Sequence, residues 1–101
     1  MHILLLYERY GPVSGDVFID EHAFKHGLSP EDIEFAWTHF VLKQYRGKPD
    51  EGQIAAIGFD KSGRLIEMVA AERPAGTLFY HAMRPPTRRI LVELGYLRGT
   101  K

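Results

Sequence analysis

Cysteine is absent from the 101 residues of this chain. Disulfide bonds, thiolate catalysis and cysteine-ligated zinc are therefore excluded. Long apolar runs are absent as well, since the run that opens the sequence, MHILLLY, is followed at once by Glu8 and Arg9. That run is too short to span a bilayer, and it lacks the cleavage pattern of a signal peptide. We therefore expect a soluble, cytoplasmic protein.

The chain also has no formal net charge, because its 13 Lys or Arg residues balance its 13 Asp or Glu residues. A neutral chain does not bind nucleic acid strongly by charge alone. The charges are nevertheless unevenly placed: residues 1–52 hold five basic and nine acidic side chains, whereas residues 53–101 hold eight and four. This division is typical of a face that binds nucleic acid or an acidic partner, or of two halves that attract each other.

Several catalytic motifs are absent. The chain has no glycine-rich phosphate loop, no serine elbow and no pair of acids in a recognisable catalytic setting. It has no repeat, linker or low-complexity segment, and it is 45% hydrophobic. This composition predicts a single domain over residues 1–101 with one modest core.

The first quarter of the chain gives mixed signals. Residues 3–7 form an apolar run suited to a buried strand, and residues 17–19 fit either a short strand or the entry to a helix. A short helix is expected over residues 21–26, capped by Asp20 and ended by Gly27 in a left-handed conformation.

The strongest local signal is the segment SPED at residues 29–32. Serine caps a helix, proline suits its first position, and two acids favour its positive end. Asp32 also stands where the partner of a capping box stands. The helix is expected to reach about residue 44. Its apolar stripe would consist of Ile33, Ala36, Trp37, Phe40 and Val41.

The second half of the chain predicts an antiparallel three-stranded meander. Its strands are QIAAIGFD at 53–60, RLIEMVAAE at 64–72 and TLFYHAM at 77–83, with a tight turn at DKSG where Gly63 can take positive φ. A final helix opens at Pro86 or Thr87. Its inward residues would be Ile90, Leu91, Leu94 and Leu97. The expected class is α+β, with N-terminal helices packed on a three- to four-stranded antiparallel sheet and a C-terminal helix.

His81 and Arg84, three residues apart at the end of the third strand, are the strongest candidate pair. An imidazole that titrates near neutrality beside a guanidinium suits proton transfer to or from a phosphate ester. A half-buried structural histidine fits the same pattern. Strict alternation would place Leu78, Tyr80 and Ala82 on one face of the strand and Phe79, His81 and Met83 on the other.

His22 and His26 lie four residues apart, a spacing that places both rings on one helix face and can serve a metal. No third ligand accompanies them, and the glutamate of the metalloprotease helix motif is missing. The negative end of a helix favours histidine in any case. We therefore expect no metal and no cofactor.

Three phrases, in order, resemble the BrnT family of RelE-like ribonuclease toxins from bacterial type II toxin–antitoxin systems. They are KHGLSPEDIEFAW, IGFDKSGRLIEMV and FYHAMRPPTRR, and together they cover roughly residues 20–96. The positions that match the family pattern are Lys25, His26, Gly27, Gly58, Gly63, Arg64, Leu65 and Ala82.

The resemblance implies a RelE-like fold and metal-independent RNA cleavage of the mRNA interferase kind. In that chemistry a base deprotonates the ribose 2′-hydroxyl, arginine stabilises the phosphate, and an acid protonates the leaving oxygen. The implied partners are RNA and a cognate antitoxin protein, with a homodimer or a toxin–antitoxin heterocomplex as the assembly. The implied catalytic residues are His81, Arg84, His26 and Arg64, and the implied RNA-binding residues are Lys25, Arg88 and Arg89.

Two positions depart from the family pattern. Met83 stands where the family has an arginine at the strand end, and Gln53 stands where an arginine precedes the first meander strand. Either the site has shifted, with His81 and Arg84 serving, or the chain is a catalytically inactive relative. In the second case it is a small α+β protein-interaction module.

Overall fold

The part of the chain that the structure describes forms one six-stranded sheet with a helix on each face. The computed structural model describes residues 3–5, 17–20 and 27–98. In chain order the elements are β1 (Ile3–Leu5), β2 (Val17–Asp20), α1 (Pro30–Thr38), β3 (Phe40–Tyr45), β4 (Gln53–Phe59), β5 (Leu65–Arg73), β6 (Gly76–Met83) and α2 (Arg88–Glu93). The strand order across the sheet is β1-β2-β6-β5-β4-β3.

The sheet combines an antiparallel block with a parallel junction. Strands β3 to β6 are antiparallel neighbours, so the predicted meander is confirmed and a fourth strand is added to it. Strand β2 pairs with β6 in parallel, and β1 pairs with β2 antiparallel. The predicted α+β class is confirmed, and residues 17–19 lie in a strand rather than at a helix entry. The helix expected over 21–26 lies outside the described residues, while Gly27 has the expected positive φ of 82°.

Helix α1 begins as the sequence predicts. The Ser29 hydroxyl accepts a hydrogen bond from the Asp32 backbone N–H, and the Asp32 carboxylate accepts one from the Ser29 N–H, both at 3.1 Å. These two bonds complete the capping box and satisfy two N–H groups that the helix itself leaves without partners.

The predicted end of this helix near residue 44 is wrong, because α1 ends at Thr38 and residues 40–45 form β3. Phe40 and Val41 do not continue the buried stripe; they are 47% and 39% exposed. These residues fit a helical period by chance, but aromatic and β-branched side chains also favour strands. Residues 40–45 form a strand because they pair with β4. That pairing cannot be read from the sequence of the segment itself.

Alternation along β4 and β5 gives the sheet an apolar set on each face. The described residues form two buried clusters rather than the single core that was expected. One helix covers each cluster. The α1-side cluster consists of Ile19, Leu28, Ile33, Ala36, Trp37, Ile54, Ala56, Ile66, Met68, Ala70, Phe79 and Ala82. The α2-side cluster consists of Ala55, Ile57, Ile90 and Leu94, with Leu42, Leu65 and Leu91 packed against it.

Trp37 anchors the α1-side cluster, as predicted. Its ring meets Phe79 edge to face with centroids 4.8 Å apart, and only 7% of the residue is exposed. Helix α1 approaches β4 so closely that a Cβ added to Gly58 would overlap the carbonyl oxygen of Ala36. Because glycine has no Cβ, helix α1 can pack directly against the sheet at this position.

Thr87, one of the two predicted starting positions, caps helix α2, which is shorter than expected. Ile90 and Leu94 are buried as predicted, whereas Leu97 is 38% exposed because the helix stops at Glu93 and Gly95 turns the chain with a φ of 80°. Neither of the two helices among the described residues is long and apolar enough to cross a membrane.

Candidate active site

A cleft of about 490 Å³ opens on the α2 side of the sheet, between the strands and the first turn of α2. Two other clefts among the described residues have volumes of about 200 and 320 Å³. Its polar walls include Arg46, Gln53, Glu67, His81, Thr87 and Arg89. A cleft with convergent polar groups is the usual form of a small binding or catalytic site.

Two adjacent strands place the central pair. In the register of β5 and β6, Val69 stands opposite His81 and Glu67 stands opposite Met83, so Glu67 and His81 are diagonal neighbours. The His81 Nε2 atom lies 2.6 Å from Oε2 of Glu67. The imidazole is about one third exposed, whereas the carboxylate is almost fully buried.

A bulge in β6 sets the direction of His81. Ala70 pairs with Phe79 and Val69 pairs with His81, so Tyr80 is an extra residue between them. Phe79 therefore joins the α1-side cluster while His81 faces the cleft on the α2 side. Strict alternation had placed these two side chains on one face, and that prediction is wrong because the bulge shifts the register.

Glu67 is held ionised by its neighbours. Its Oε1 atom accepts hydrogen bonds from the Thr87 backbone N–H at 2.6 Å and from the Thr87 hydroxyl at 2.9 Å. Burial raises the pKa of Glu67, but the hydrogen bonds from His81 and Thr87 outweigh burial and leave that pKa below its ordinary value. An ionised carboxylate only accepts, so the Nε2 atom of His81 must carry the hydrogen of their shared bond.

Thr87 ties this pair to the helix. Its hydroxyl donates to Glu67 and also accepts a hydrogen bond from the Ile90 N–H at 3.3 Å, which caps α2. Three elements, β5, β6 and α2, thus meet at one carboxylate. Thr87 therefore links the start of the helix to the carboxylate that holds the histidine.

The two cleft arginines differ in their partners. Arg46 donates to both carboxylate oxygens of Glu93, at 2.9 and 3.0 Å, and to the side chain of Gln53 at 2.9 Å. Its charge is therefore compensated. Arg89, in the first turn of α2, is exposed and forms no ion pair with any residue that the structure describes. Its side chain borders the cleft.

Arg84 lies outside the cleft lining and contacts Asp60 at the β4–β5 turn. Asp60 is buried, and its Oδ1 atom also accepts from the Ser62 N–H and hydroxyl and from the Arg64 N–H, at 2.7 to 2.9 Å. Burial raises the pKa of Asp60, but these hydrogen bonds and the charge of Arg84 outweigh burial and lower it. The predicted pair of His81 and Arg84 is therefore not brought together in the cleft.

The remaining predicted residues have varied positions. Arg64 and Arg88 are exposed and do not line the cleft, whereas Arg89 does. Lys25 and His26 lie outside the described residues, as does the proposed histidine spacing with His22. Within the described ranges, no three potential metal ligands of the histidine, cysteine or carboxylate type cluster together.

The sequence interpretation missed Glu67, Thr87 and the role of Arg89 in the cleft. One signal for Glu67 was available: it is the single charge within the apolar strand segment LIEMVAA, and a charge at such a position needs a partner. The partner could not be read from the chain because Thr87 is twenty residues away.

The chain was compared with known protein families, with curated proteins and with solved structures, and it matches none of them. The BrnT resemblance therefore rests on the three sequence phrases and remains a prediction.

Proposed function

We propose that this protein is a metal-independent endoribonuclease that cleaves RNA by attack of the ribose 2′-hydroxyl on the adjacent phosphate. The observation that carries the proposal is the His81–Glu67 pair in a cleft that also presents Arg89. A histidine held by a carboxylate suits proton transfer, and a guanidinium suits the charge that develops on a phosphate.

His81 acts as the proton carrier. Its Nε2–H donates to Glu67, which holds the imidazole at the cleft. The 2′-hydroxyl gives its proton to the imidazole of His81 as its oxygen bonds to phosphorus, and the bond from phosphorus to the 5′-oxygen breaks. The leaving oxygen takes a proton from solvent. The products are a 2′,3′-cyclic phosphate and a 5′-hydroxyl, and no oxidant or metal enters this balance.

Arg89 takes the role that the sequence had given to Arg84. The guanidinium of Arg84 is committed to a buried carboxylate, whereas Arg89 borders the cleft without an ion pair among the described residues. Glu67 is a positioning residue, because its almost fully buried carboxylate holds the imidazole in one tautomer.

The biological setting proposed with this activity is that of a toxin in a bacterial type II toxin–antitoxin system. The three BrnT-like phrases support it, and the RelE-like arrangement of the fold belongs to the same proposal. The protein would act in the cytoplasm on RNA, and a cognate antitoxin protein would neutralise it. The assembly would be a toxin–antitoxin heterocomplex or a homodimer.

Cleavage of a labelled RNA by the purified protein, in the presence of a chelator, tests the activity. We expect the wild type to release 2′,3′-cyclic phosphate ends. His81→Ala should lower the rate by about 10²- to 10⁴-fold, and Arg89→Ala by about 10²- to 10³-fold. Arg98→Ala, an exposed arginine beyond α2 and outside the cleft lining, is the matched control and should cleave at the wild-type rate.

A folded wild type that leaves RNA intact would overturn this proposal in favour of the protein-interaction module. One observation favours that second function. Strand β3 has a neighbour on only one side among the described strands, and it carries exposed Phe40, Val41 and Tyr45. An edge strand with exposed apolar side chains is a common docking site for another chain.

A further inference from the structure

The hairpin that joins β3 to β4 builds one wall of the cleft. Its backbone is closed by hydrogen bonds from the Arg46 N–H to the Gln53 carbonyl at 2.9 Å and from the Gln53 N–H to the Asp50 carbonyl at 3.1 Å. The side chains of these three residues all line the cleft. Arg46, Asp50 and Gln53 are here named the hairpin group.

Arg46 determines which way the Gln53 amide points. Its Nη1 atom donates to Oε1 of Gln53 at 2.9 Å, while Glu93 holds the other edge of the guanidinium at 2.9 and 3.0 Å. A guanidinium only donates, so the amide oxygen must face Arg46 and the amide NH₂ must turn away from it. That NH₂ forms no hydrogen bond with any residue that the structure describes. Gln53 therefore offers the cleft two donors.

Asp50 places acceptors beside these donors. Its Oδ2 atom lies 3.6 Å from the Arg46 Nη2 atom, which is within reach of an ion pair but too long for a hydrogen bond. Because Nη1 and Nη2 belong to one guanidinium, the Gln53 amide and the Asp50 carboxylate are neighbours. The Asp50 side chain is 37% exposed, and its carboxylate accepts no hydrogen bond within the described ranges. Both of its oxygens can accept from a ligand.

The charges in the cleft separate a place for a phosphate from a place for a neutral group. At the hairpin group, the one positive charge of Arg46 faces the carboxylates of Glu93 and Asp50, so an anion is disfavoured there. Arg89 lines the same cleft and has no ion pair among the residues described. A nucleotide would lie with its phosphate toward Arg89 and its base toward the hairpin group.

The register of the sheet gives the length of this site. Ala55 pairs with Val69 and Val69 pairs with His81, so the three form one row across β4, β5 and β6. Gln53 lies two residues from Ala55 along β4, on the same face. Two strand spacings and two residue steps separate the Cα atoms of Gln53 and His81 by about 12 Å. With both side chains lining the cleft, this span suits one nucleotide.

Guanine is the base whose pairing edge fits the hairpin group. That edge presents the acceptor O6 next to two donors, N1–H and N2–H. The Gln53 NH₂ can donate to O6 while the two oxygens of Asp50 accept from N1–H and N2–H. Adenine and cytosine have one amino group on this edge and no second donor beside it. In uracil the single donor N3–H lies between two carbonyl oxygens, which a carboxylate repels.

We propose that Asp50 and Gln53 form a guanine-binding subsite, so that the nucleotide whose 2′-hydroxyl attacks is a guanosine. Arg46 is a positioning residue, because it orients the amide of Gln53 and does not itself bond the base. This inference rests on the proposed ribonuclease function for the identity of the ligand. Binding of a mononucleotide nevertheless tests it without any cleavage.

The experiment is isothermal titration calorimetry of the wild type with the 3′-monophosphates of guanosine, inosine, adenosine, cytidine and uridine. These ligands keep the 2′-hydroxyl and the phosphate but have no bond to cleave. The guanosine ligand should bind about 10-fold or more tightly than those of adenosine, cytidine and uridine. Inosine lacks only the N2 amino group, so a loss of about 10-fold relative to guanosine measures the second bond to Asp50.

Three variants assign this preference to residues. Asp50→Asn has similar size but lacks a pair of acceptors, so it should bind guanosine and inosine 3′-monophosphates equally. Gln53→Glu replaces the donors that face O6 by an acceptor and should weaken guanosine 3′-monophosphate binding by about 10-fold. Glu51→Gln is the matched control: it removes one negative charge from the same hairpin but lies outside the cleft lining, and it should bind all five ligands like the wild type.

The subsite and the proposed function fail separately. A wild type that binds the five ligands equally, or does not bind guanosine 3′-monophosphate, would overturn the subsite, as would an Asp50→Asn variant that still separates guanosine from inosine. If the guanosine preference is found but RNA is not cleaved, the subsite stands and the ribonuclease does not. If RNA is cleaved evenly after all four bases, the ribonuclease stands and the subsite is overturned.

Discussion

A single buried carboxylate, Glu67, connects the histidine of the cleft to the start of a helix. Burying a charge is unfavourable unless hydrogen bonds compensate it. Here the three donors are the His81 ring, the Thr87 N–H and the Thr87 hydroxyl. They make the ionised form the stable one, so this residue affects both the stability of the fold and the orientation of the imidazole.

The lowered pKa of Glu67 gives a prediction for stability against pH. Its pairing stabilises the fold fully above the ordinary glutamate value of 4.5, and this stabilisation is lost as pH falls through the lower folded value. Glu67→Gln should cost about 2 kcal/mol at pH 7, and the difference from wild type should shrink in acid. Urea unfolding from pH 7 to pH 3 measures both.

Glu51→Gln, which changes an exposed glutamate in the β3–β4 loop, is the control and should unfold like the wild type throughout. A gap between Glu67→Gln and wild type that is as wide at pH 3 as at pH 7 would contradict the linkage.

At this scale the sequence predicted the histidine and missed its partners. His81 was singled out because imidazole can transfer protons near neutral pH and because Arg84 follows three residues later. Arg84 was preferred to Arg89 because Arg84 is nearer to His81 in sequence. In the structure Arg84 forms an ion pair with Asp60 instead. Which arginine stays exposed depends on contacts between residues that are far apart in the chain, and the local pattern does not contain them.

The close packing of α1 on β4 depends on one missing side chain. A methyl group at Gly58 would overlap the Ala36 carbonyl oxygen and come within 3.2 Å of the Phe40 Cα atom. These are backbone atoms, which cannot rotate away as a side chain can. Gly58→Ala should therefore destabilise the fold by about 3 kcal/mol.

Urea unfolding of Gly58→Ala beside Gly47→Ala checks this prediction. Gly47 has open space where a Cβ would lie and a φ that ordinary residues adopt, so its alanine variant should be as stable as the wild type. Equal stability of the two variants would show that α1 does not press on β4.

The start of helix α2 depends on the side chain of Thr87. The Thr87 hydroxyl both caps the helix and bonds Glu67. Thr87→Ala should cost about 1 to 2 kcal/mol and lower the cleavage rate, because His81 loses part of its support. Thr87→Ser keeps the hydroxyl and should restore most of both. Thermal unfolding and the RNA assay are the two measurements, and a serine variant as weak as the alanine variant would contradict the role of the hydroxyl.

Elements with strong local signals were predicted well. The capping box at Ser29 and the turn at Gly63 need only a few neighbouring residues, and both are present in the structure. Strand β3 and the bulge at Tyr80 were missed, since each is defined by pairing with another strand. The FVL segment was compatible with a helix until β4 supplied a partner.

The whole molecule has a sheet that is shared by two buried clusters. Neighbouring residues of β4 and β5 point to opposite sides, so the α1-side and α2-side clusters use the same strands. Loss of either helix would expose one face of strands that the other cluster needs. We therefore expect both clusters to unfold in a single cooperative step.

Ile33→Val on the α1 side and Ile90→Val on the α2 side test this cooperativity. Each should cost about 1 kcal/mol, and the double variant should cost the sum to within about 0.5 kcal/mol. Trp37, the single tryptophan, reports the α1 side by fluorescence, while circular dichroism reports the whole fold. Ile90→Val should move both transitions equally, and a fluorescence transition that stays at its wild-type midpoint would show two independent halves.

The parallel pairing of β2 with β6 has a consequence for how the protein is made. During synthesis β2 leaves the ribosome before β6, because its register partners, residues 77–79, are added about sixty residues later. Until then β2 and β1 have only each other as described neighbours, and two short strands are not stable alone. The six-stranded sheet can therefore close only after residues 77–79 have emerged, which makes its completion a long-range event in biosynthesis.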